Sequence, residues 1–182
     1  LYGSEVGLRA DQIGLFLAAF VLGGALMQFP AGWLADRYDR RWVLIGTSLA
    51  AIATSVSTAT IGATGIEVVF ISAMAFGAAS FPIYSISAAL AHDRAEDADR
   101  VELSAALMFF YALGAIVSPL AAANLIEAFG PRALFWFIAI AHGVLVLYSL
   151  YRMRQRSTAT PRQPYVWIPR TSIQTGKIIS RA

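Results

Sequence analysis

The sequence predicts an all-α membrane protein with five transmembrane helices, and three observations point there. Of 182 residues, 58% are hydrophobic and only 14% are charged, and the mean hydropathy is +0.62. A soluble domain carries about a quarter charged residues. The charges are gathered into short stretches, leaving five long runs without Asp, Glu, Lys or Arg. The basic residues then fall mostly to one side of those runs. This composition excludes a soluble enzyme, a disordered chain and a nucleic-acid-binding module. There is no Cys, and the two histidines, His92 and His142, lie far apart. No cofactor, no metal site and no nucleic-acid partner is expected from such an inventory.

Each span follows from its flanking charges. Asp11 and Asp36 enclose 24 uncharged residues, giving a first span over 12–35. Arg41 and Glu67 enclose 25, giving a second over 42–66. Glu67 and Asp93 enclose another 25, giving a third over 68–92. Glu102 and Glu127 enclose 24, giving a fourth over 103–126. Arg132 and Arg152 enclose 19, giving a fifth over 133–151. A helix needs about 20 apolar residues to cross the hydrocarbon core. A charge at its centre costs about 2.5–3.5 kcal/mol on insertion scales, so five clean runs match insertion. The runs do not alternate apolar and polar residues as barrel strands would.

The ends carry their own expectations. Residue 1 is Leu, and no basic leader or cleavage site precedes the first span. Five spans would leave the N-terminus outside with nothing to carry it there, so the chain reads as a fragment. Residues 1–5 are then the end of a preceding helix, and 1–11 as a whole that end plus a periplasmic loop. Residues 12–151 form the five-span bundle. Residues 152–182 form a basic tail, rich in Ser, Thr, Pro and Arg beyond 157, expected to be mostly disordered.

Orientation follows from the arginines. Arg37, Arg40 and Arg41 lie between spans one and two, Arg94 and Arg100 between three and four, and seven more basic residues in the tail. That side holds 12 of 14 basic residues; only Arg9 and Arg132 lie opposite. The positive-inside rule makes the crowded side cytoplasmic, the C-terminus with it. Trp33, Trp42, Tyr148 and Tyr151 stand at its membrane boundary, where amphipathic rings settle.

The sharpest local signal runs from Gly32 through Asp36, Arg37, Arg40 and Arg41. Gly32 lets a neighbouring helix come close, Asp36 can accept from N–H groups at another helix's N-terminus, and the arginines can pair with acids or lipid phosphates. Spacing alone also fits a tight, positively charged turn. Polar side chains inside the spans are few, and Gln28, Tyr84, Ser85 and Tyr111 are the candidates for a cavity, set against ordinary interhelical hydrogen bonds. Gly77 with Pro82, and Gly114 and Ser118 with Pro119, mark expected breaks or close-packing faces, which ordinary membrane-helix proline also explains. Gly114, Ser118 and Ala122 form a small-residue stripe, as do Gly14 with Ala18 and Ala19 with Gly23. Most of the seven Ser and Thr between 47 and 60 are expected to bond their own helix's carbonyls. His142 is read as structural and His92 as solvated at the membrane edge.

Gly-x-x-x-Asp-Arg-x-x-Arg-Arg between two membrane helices resembles the loop signature of the major facilitator superfamily. Asp39 stands where that pattern usually has a second Gly. Phe81-Pro82-Ile83-Tyr84-Ser85, the stretch from Tyr111 to Leu120, Leu150-Tyr151-Arg152-Met153-Arg154 and Tyr165-Val166-Trp167-Ile168-Pro169-Arg170-Thr171 resemble the C-terminal half of its YcaD-like branch. The resemblance covers nearly the whole chain. It implies the eighth to twelfth spans of the C-terminal six-helix half, and a secondary active transporter that moves a small solute across an inner membrane by alternating access. It implies a missing N-terminal half as partner, with membrane lipid and a coupling proton or ion as further ones. Asp36 and its arginines would form a cytoplasmic latch between the halves. The third span would line the central cavity, the first and fourth would meet the other half, and the second and fifth would face mainly lipid. No span core carries an acid or base, so a coupling carboxylate would lie in the other half. A non-transporting scaffold or sensor, or an inactive truncated carrier, is the alternative. No catalytic constellation points to an enzyme.

Overall fold

The computed structural model describes residues 2–61 and 65–155. Over these it is helical, with no strand: α1 (Tyr2–Glu5), α2 (Ala10–Arg37), α3 (Arg40–Ile61), α4 (Ile66–His92), α5 (Arg100–Phe129) and α6 (Arg132–Gln155), with a single 3-10 turn at Asp97–Asp99. The five long helices are all apolar and long enough to cross a membrane. They match the five charge-free runs but outlast them. α5 takes in Arg100, Glu102 and Glu127, and α6 continues through Arg152 and Arg154 to Gln155. A charge-free run measures hydrocarbon thickness, whereas a helix continues into the interface where charges are solvated. The first four residues assigned to the tail are therefore helix. The rest of that tail, with its Tyr165–Thr171 segment, and 62–64 of the second span lie outside the described residues.

Local chemistry sets the ends. The Arg9 amide donates to Gln12 Oε1 at 2.9 Å as α2 starts, and the Arg9 guanidinium pairs with Asp11 at 2.6 Å. α5 stops at Gly130, whose φ of +83° suits glycine and whose amide still reaches Ile126 O at 2.8 Å. α4 is continuous helix across Gly77 and Pro82, and α5 across Pro119. Each proline forfeits one backbone bond from a ladder of 27 or 30 residues. Pro82 is fully buried, held by its neighbours.

The tightest packing joins α2 to α4. A Cβ built on Gly23 would lie 2.0 Å from the Met74 carbonyl oxygen, and one on Gly77 would lie 1.9 Å from the Phe20 carbonyl oxygen. The two backbones therefore touch, each glycine facing a carbonyl of the opposite helix. Beside them, a Cβ on Gly24 would strike the Phe81 ring at 2.4 Å. In lipid the hydrophobic effect does not hold helices together, so association rests on such close van der Waals contact. Phe20 stacks on Phe76 at 5.6 Å and meets Phe81 edge-on at 5.1 Å; Phe76 meets Phe135 of α6, which meets Tyr2 of α1 at 4.7 Å. These rings tie α1, α2, α4 and α6 into one body.

Among the described spans α3 has the largest share of buried residues. Leu44, Ser48, Ala51, Ser55 and Ala59 are all buried along one helical face. Their small side chains let α4 and α6 approach. Thr47, Thr54, Thr58 and Thr60 bond carbonyls of their own helix, as expected. Ser48 and Ser55 do not: both hydroxyls are buried without a partner among the described residues, so their value here is size. α5 is the opposite extreme. Only Ile126 of its 30 residues is buried, and nothing lies within 4 Å of a Cβ added to Gly114. Its small-residue stripe faces outward, and Gly14 on α2 is equally open.

Gly77→Ala should therefore destabilise by about 1–3 kcal/mol, the usual range for overpacking a tight contact, because its methyl meets backbone that cannot swing away. Gly46→Ala, with nothing within 4 Å, should be near neutral. Thermal melts of both variants in detergent check the contrast.

Candidate functional site

Two groups of residues stand out, one at the arginine-rich end and one on the exposed side of α2, α4 and α5. At the arginine-rich end, α2 finishes with Asp36 and Arg37, two residues turn the chain, and α3 begins with Arg40 and Arg41. Asp39 supplies the turn's chemistry. Its carboxylate accepts the Arg41 amide at 2.9 Å and its carbonyl accepts the Trp42 amide at 2.9 Å, so it caps α3. The side chain that departs from the family pattern is thus a helix cap.

The three arginines part company. Arg37 lies 4.2 Å from the Trp33 ring centroid, one helical turn back, in a cation–π contact. Arg40 bridges three helices. Its Nη1 donates to Asp93 Oδ1 at 2.6 Å and to the Ala89 carbonyl at 3.2 Å, while Nη2 reaches Asp36 Oδ1 at 3.2 Å. The guanidinium thereby sits at the C-terminal end of α4, where the helix dipole favours a cation. The Arg40 and Asp93 side chains are only 16% and 24% exposed, whereas Asp36 is 75% exposed. Arg41 is buried at 7% and lines a cavity between α3, α4 and α6. Gly32, the first residue of the motif, has open space around it.

Asp93 is the functional-site residue that the motif did not announce. It closes the third charge-free run, but nothing in the sequence states that Arg40, 53 positions away, would find it. His92, expected to be solvated, has its Nε2 3.4 Å from the Ser104 hydroxyl of α5. His142 is half-buried in α6.

The four cavity candidates fall in two touching pairs. Ser85 Oγ donates to Gln28 Oε1 at 3.3 Å, linking α4 to α2. The Tyr84 and Tyr111 rings are 5.1 Å apart, linking α4 to α5, and the Tyr84 hydroxyl lies 3.6 Å from Met108 Sδ. All four residues are exposed. They form an open wall across α2, α4 and α5. Gly114, Ser118 and Pro119 lie on the exposed length of the same α5. Among the described residues no cluster of three or more His, Asp or Glu is placed to hold a metal ion.

Residues 1–181 match the sequence profile of the Major Facilitator Superfamily. The chain is also similar to the uncharacterized MFS-type transporter YcaD of Salmonella typhi, with 31% identity over 155 residues, covering 85% of this chain and 39% of that protein. The YcaD proteins of Salmonella paratyphi B and Salmonella newport each give 31% identity over 150 residues, covering 82% of this chain and 38% of theirs. The chain thus spans well under half the length of these curated relatives.

The two acids that share Arg40 should differ in their effect on stability. Asp93→Asn should cost about 1–2 kcal/mol, between the limits for exposed and buried ion pairs. Asp36→Asn should cost about 0.3–0.5 kcal/mol, as for an exposed i,i+4 pair. Urea or thermal unfolding of the two variants under one condition checks the order.

Proposed function

The chain belongs to the Major Facilitator Superfamily, and on that premise we propose that its five spans are the eighth to twelfth of a secondary active transporter. That carrier would move a small solute across an inner membrane by alternating access. The observation that carries the reading is the wall on α2, α4 and α5. Gln28, Ser85, Tyr84, Tyr111 and Ser118 are exposed there on helices that otherwise present apolar surface. Polar groups facing hydrocarbon are costly, so such a wall belongs against protein or a water-filled cavity. An N-terminal half supplies both. Transporters of this architecture hold solute near the midplane between two bundles, and the tyrosine and amide chemistry suits a neutral or amphipathic solute. With no acid or base in the wall, any coupling proton or ion would be bound by the other half.

In this reading the arginine-rich end is cytoplasmic, supported by the 12 of 14 basic residues on that side. Asp36 would act as the moving part of the latch. It shares one oxygen with Arg40 and is otherwise open to a partner, whereas Arg40 is committed to Asp93 and Ala89 within this half. Asp36 would contact the N-terminal half when the carrier faces outward and release it when the carrier faces inward.

The test is solute flux through proteoliposomes holding the full-length protein, screened against a solute library. Flux above that of protein-free vesicles supports a carrier; its absence across the library favours the alternative of a scaffold, a sensor or an inactive truncated carrier. In an active preparation Asp36→Asn should lower flux about tenfold while the protein still inserts, an effect worth about 1.4 kcal/mol in the barrier. That exceeds its expected effect on stability, so the two measurements together separate a latch from a fold contact.

A further inference from the structure

We propose that the chain's own basic tail, residues 156–182, docks through Trp167 on the hollow between the end of α4 and the start of α5. The loop there is the one stretch on the arginine-rich side in which acids prevail. Residues 93–102 carry five acids against two arginines, whereas residues 36–41 carry two acids against three arginines. The tail carries five basic residues and no acid. The hollow measures about 470 Å³. Ala91, Ala95, Leu103 and Ala106 give it an apolar floor, and Asp99 and Glu102 line it as exposed acids. Neither acid joins the ion pairs of Arg9 or Arg40, and Arg94, the one cation in the lining, is already partnered. The dipole of α5 favours an acid in its first turn, which accounts for Glu102 but not for an apolar hollow beside it.

The tail leaves α6 close to this hollow. α6 ends at Gln155, and Arg152 of its last turn lines one cavity with Arg94, which also lines the hollow. The chain from Gln155 to Trp167 reaches about 40 Å when extended, several times the roughly 8–10 Å between neighbouring helix axes. The longest apolar run of the tail is Tyr165-Val166-Trp167-Ile168, and Arg162 and Arg170 flank it. Seating Trp167 on the alanines and Leu103 brings an arginine on either side towards Asp99 and Glu102. The ring supplies large contact area at low conformational cost, and the opposite charges fix its register. Ala106 lies inside the fourth charge-free run and Asp99 outside it, so the hollow straddles the membrane boundary, where tryptophan settles. Docked, the tail joins α6 to α5, of which only Ile126 is otherwise buried. The site needs only that the tail and the α4–α5 loop share one face, so transport can fail its own test and leave it standing.

In the full-length protein, the photo-crosslinking residue p-benzoylphenylalanine would take the place of Trp167, and the products of irradiation would be mapped by mass spectrometry. Crosslinks to residues 91–106 of the same molecule are expected. Reversing the charge of the hollow with Asp99→Lys/Glu102→Lys should lower their yield about tenfold, as for the loss of two exposed ion pairs and the repulsion that replaces them. Adding Arg162→Glu/Arg170→Glu to that variant should restore the yield. Ala106→Trp, which keeps every charge and fills the hollow from an exposed position on α5, should lower it as much, so a folding defect in the charge variants cannot decide the matter. A yield that persists in both the double variant and Ala106→Trp overturns the proposal. So do crosslinks confined to other parts of the protein or to lipid. A crosslinked dimer overturns it as well, by assigning the tail to the surface of a second copy.

Discussion

The contact on which this structure depends is the meeting of two backbones at Gly23 and Gly77. Each glycine sits against a carbonyl of the opposite helix, Met74 and Phe20, at a separation no side chain could enter. In water, burying apolar surface would drive α2 and α4 together. In lipid that gain vanishes, because acyl chains are as apolar as leucine, and packing at contact distance takes its place. With the axes held at this point, positions further along fall into reach. Five residues on from Gly23, Gln28 meets Ser85, and at the helix ends the turn after α2 lays Arg40 against Asp93. The polar contacts complete the geometry that the glycines impose.

That geometry divides the arginines of one short motif among three environments. Arg37 turns back on its own helix to Trp33, Arg40 crosses to α4, and Arg41, about 100° further round α3, turns into the cavity it shares with Arg94 and Arg152. Asp39 makes this possible by capping α3, so that the helix starts on the two arginines and directs them to different sides. A motif that reads as a block of positive charge in one dimension is therefore three separate environments in space.

The sequence made the spans legible because the bilayer penalises charge so heavily that five clean runs could mean little else. Their ends were less legible, since Arg152, Arg154 and Glu127 are tolerated on helix beyond the hydrocarbon. Pairings between helices were hardest to read. Gly23 and Gly77 each carried a small-residue or hinge signal, yet nothing local says that one answers the other across 54 positions. Leu44, Ser48, Ala51, Ser55 and Ala59 made a buried face in plain view, but the hydroxyls suggested self-bonded side chains and the family likeness suggested a peripheral helix. Burial is a property of neighbours, and neither signal reports on neighbours. Pro82 and Pro119 both lie within continuous helix, because a proline removes one hydrogen bond and the rest of the ladder holds.

In the proposed carrier, a half that rocks against another would need to be rigid within and weakly held at its moving face. The two requirements pull residues in opposite directions, and this chain separates them by helix. Glycine contacts, stacked rings and the Arg40 bridge fasten α2, α3, α4 and α6 to one another. α5 keeps almost its whole surface, the Gly114–Ser118 stripe included, outside that body. Asp36 follows the same division at the scale of one residue. It lies across the turn from Arg40, four residues earlier, and shares its charge, yet its side chain is the more exposed of the two carboxylates. If both acids were enclosed, the end of α2 would be fixed to α4 and unable to engage a second half. If both were exposed, the arginine-rich end of α3 would lose its ion pair to α4. The asymmetry between the two carboxylates is what lets one arginine serve the fold and leave a charged group available for the proposed latch.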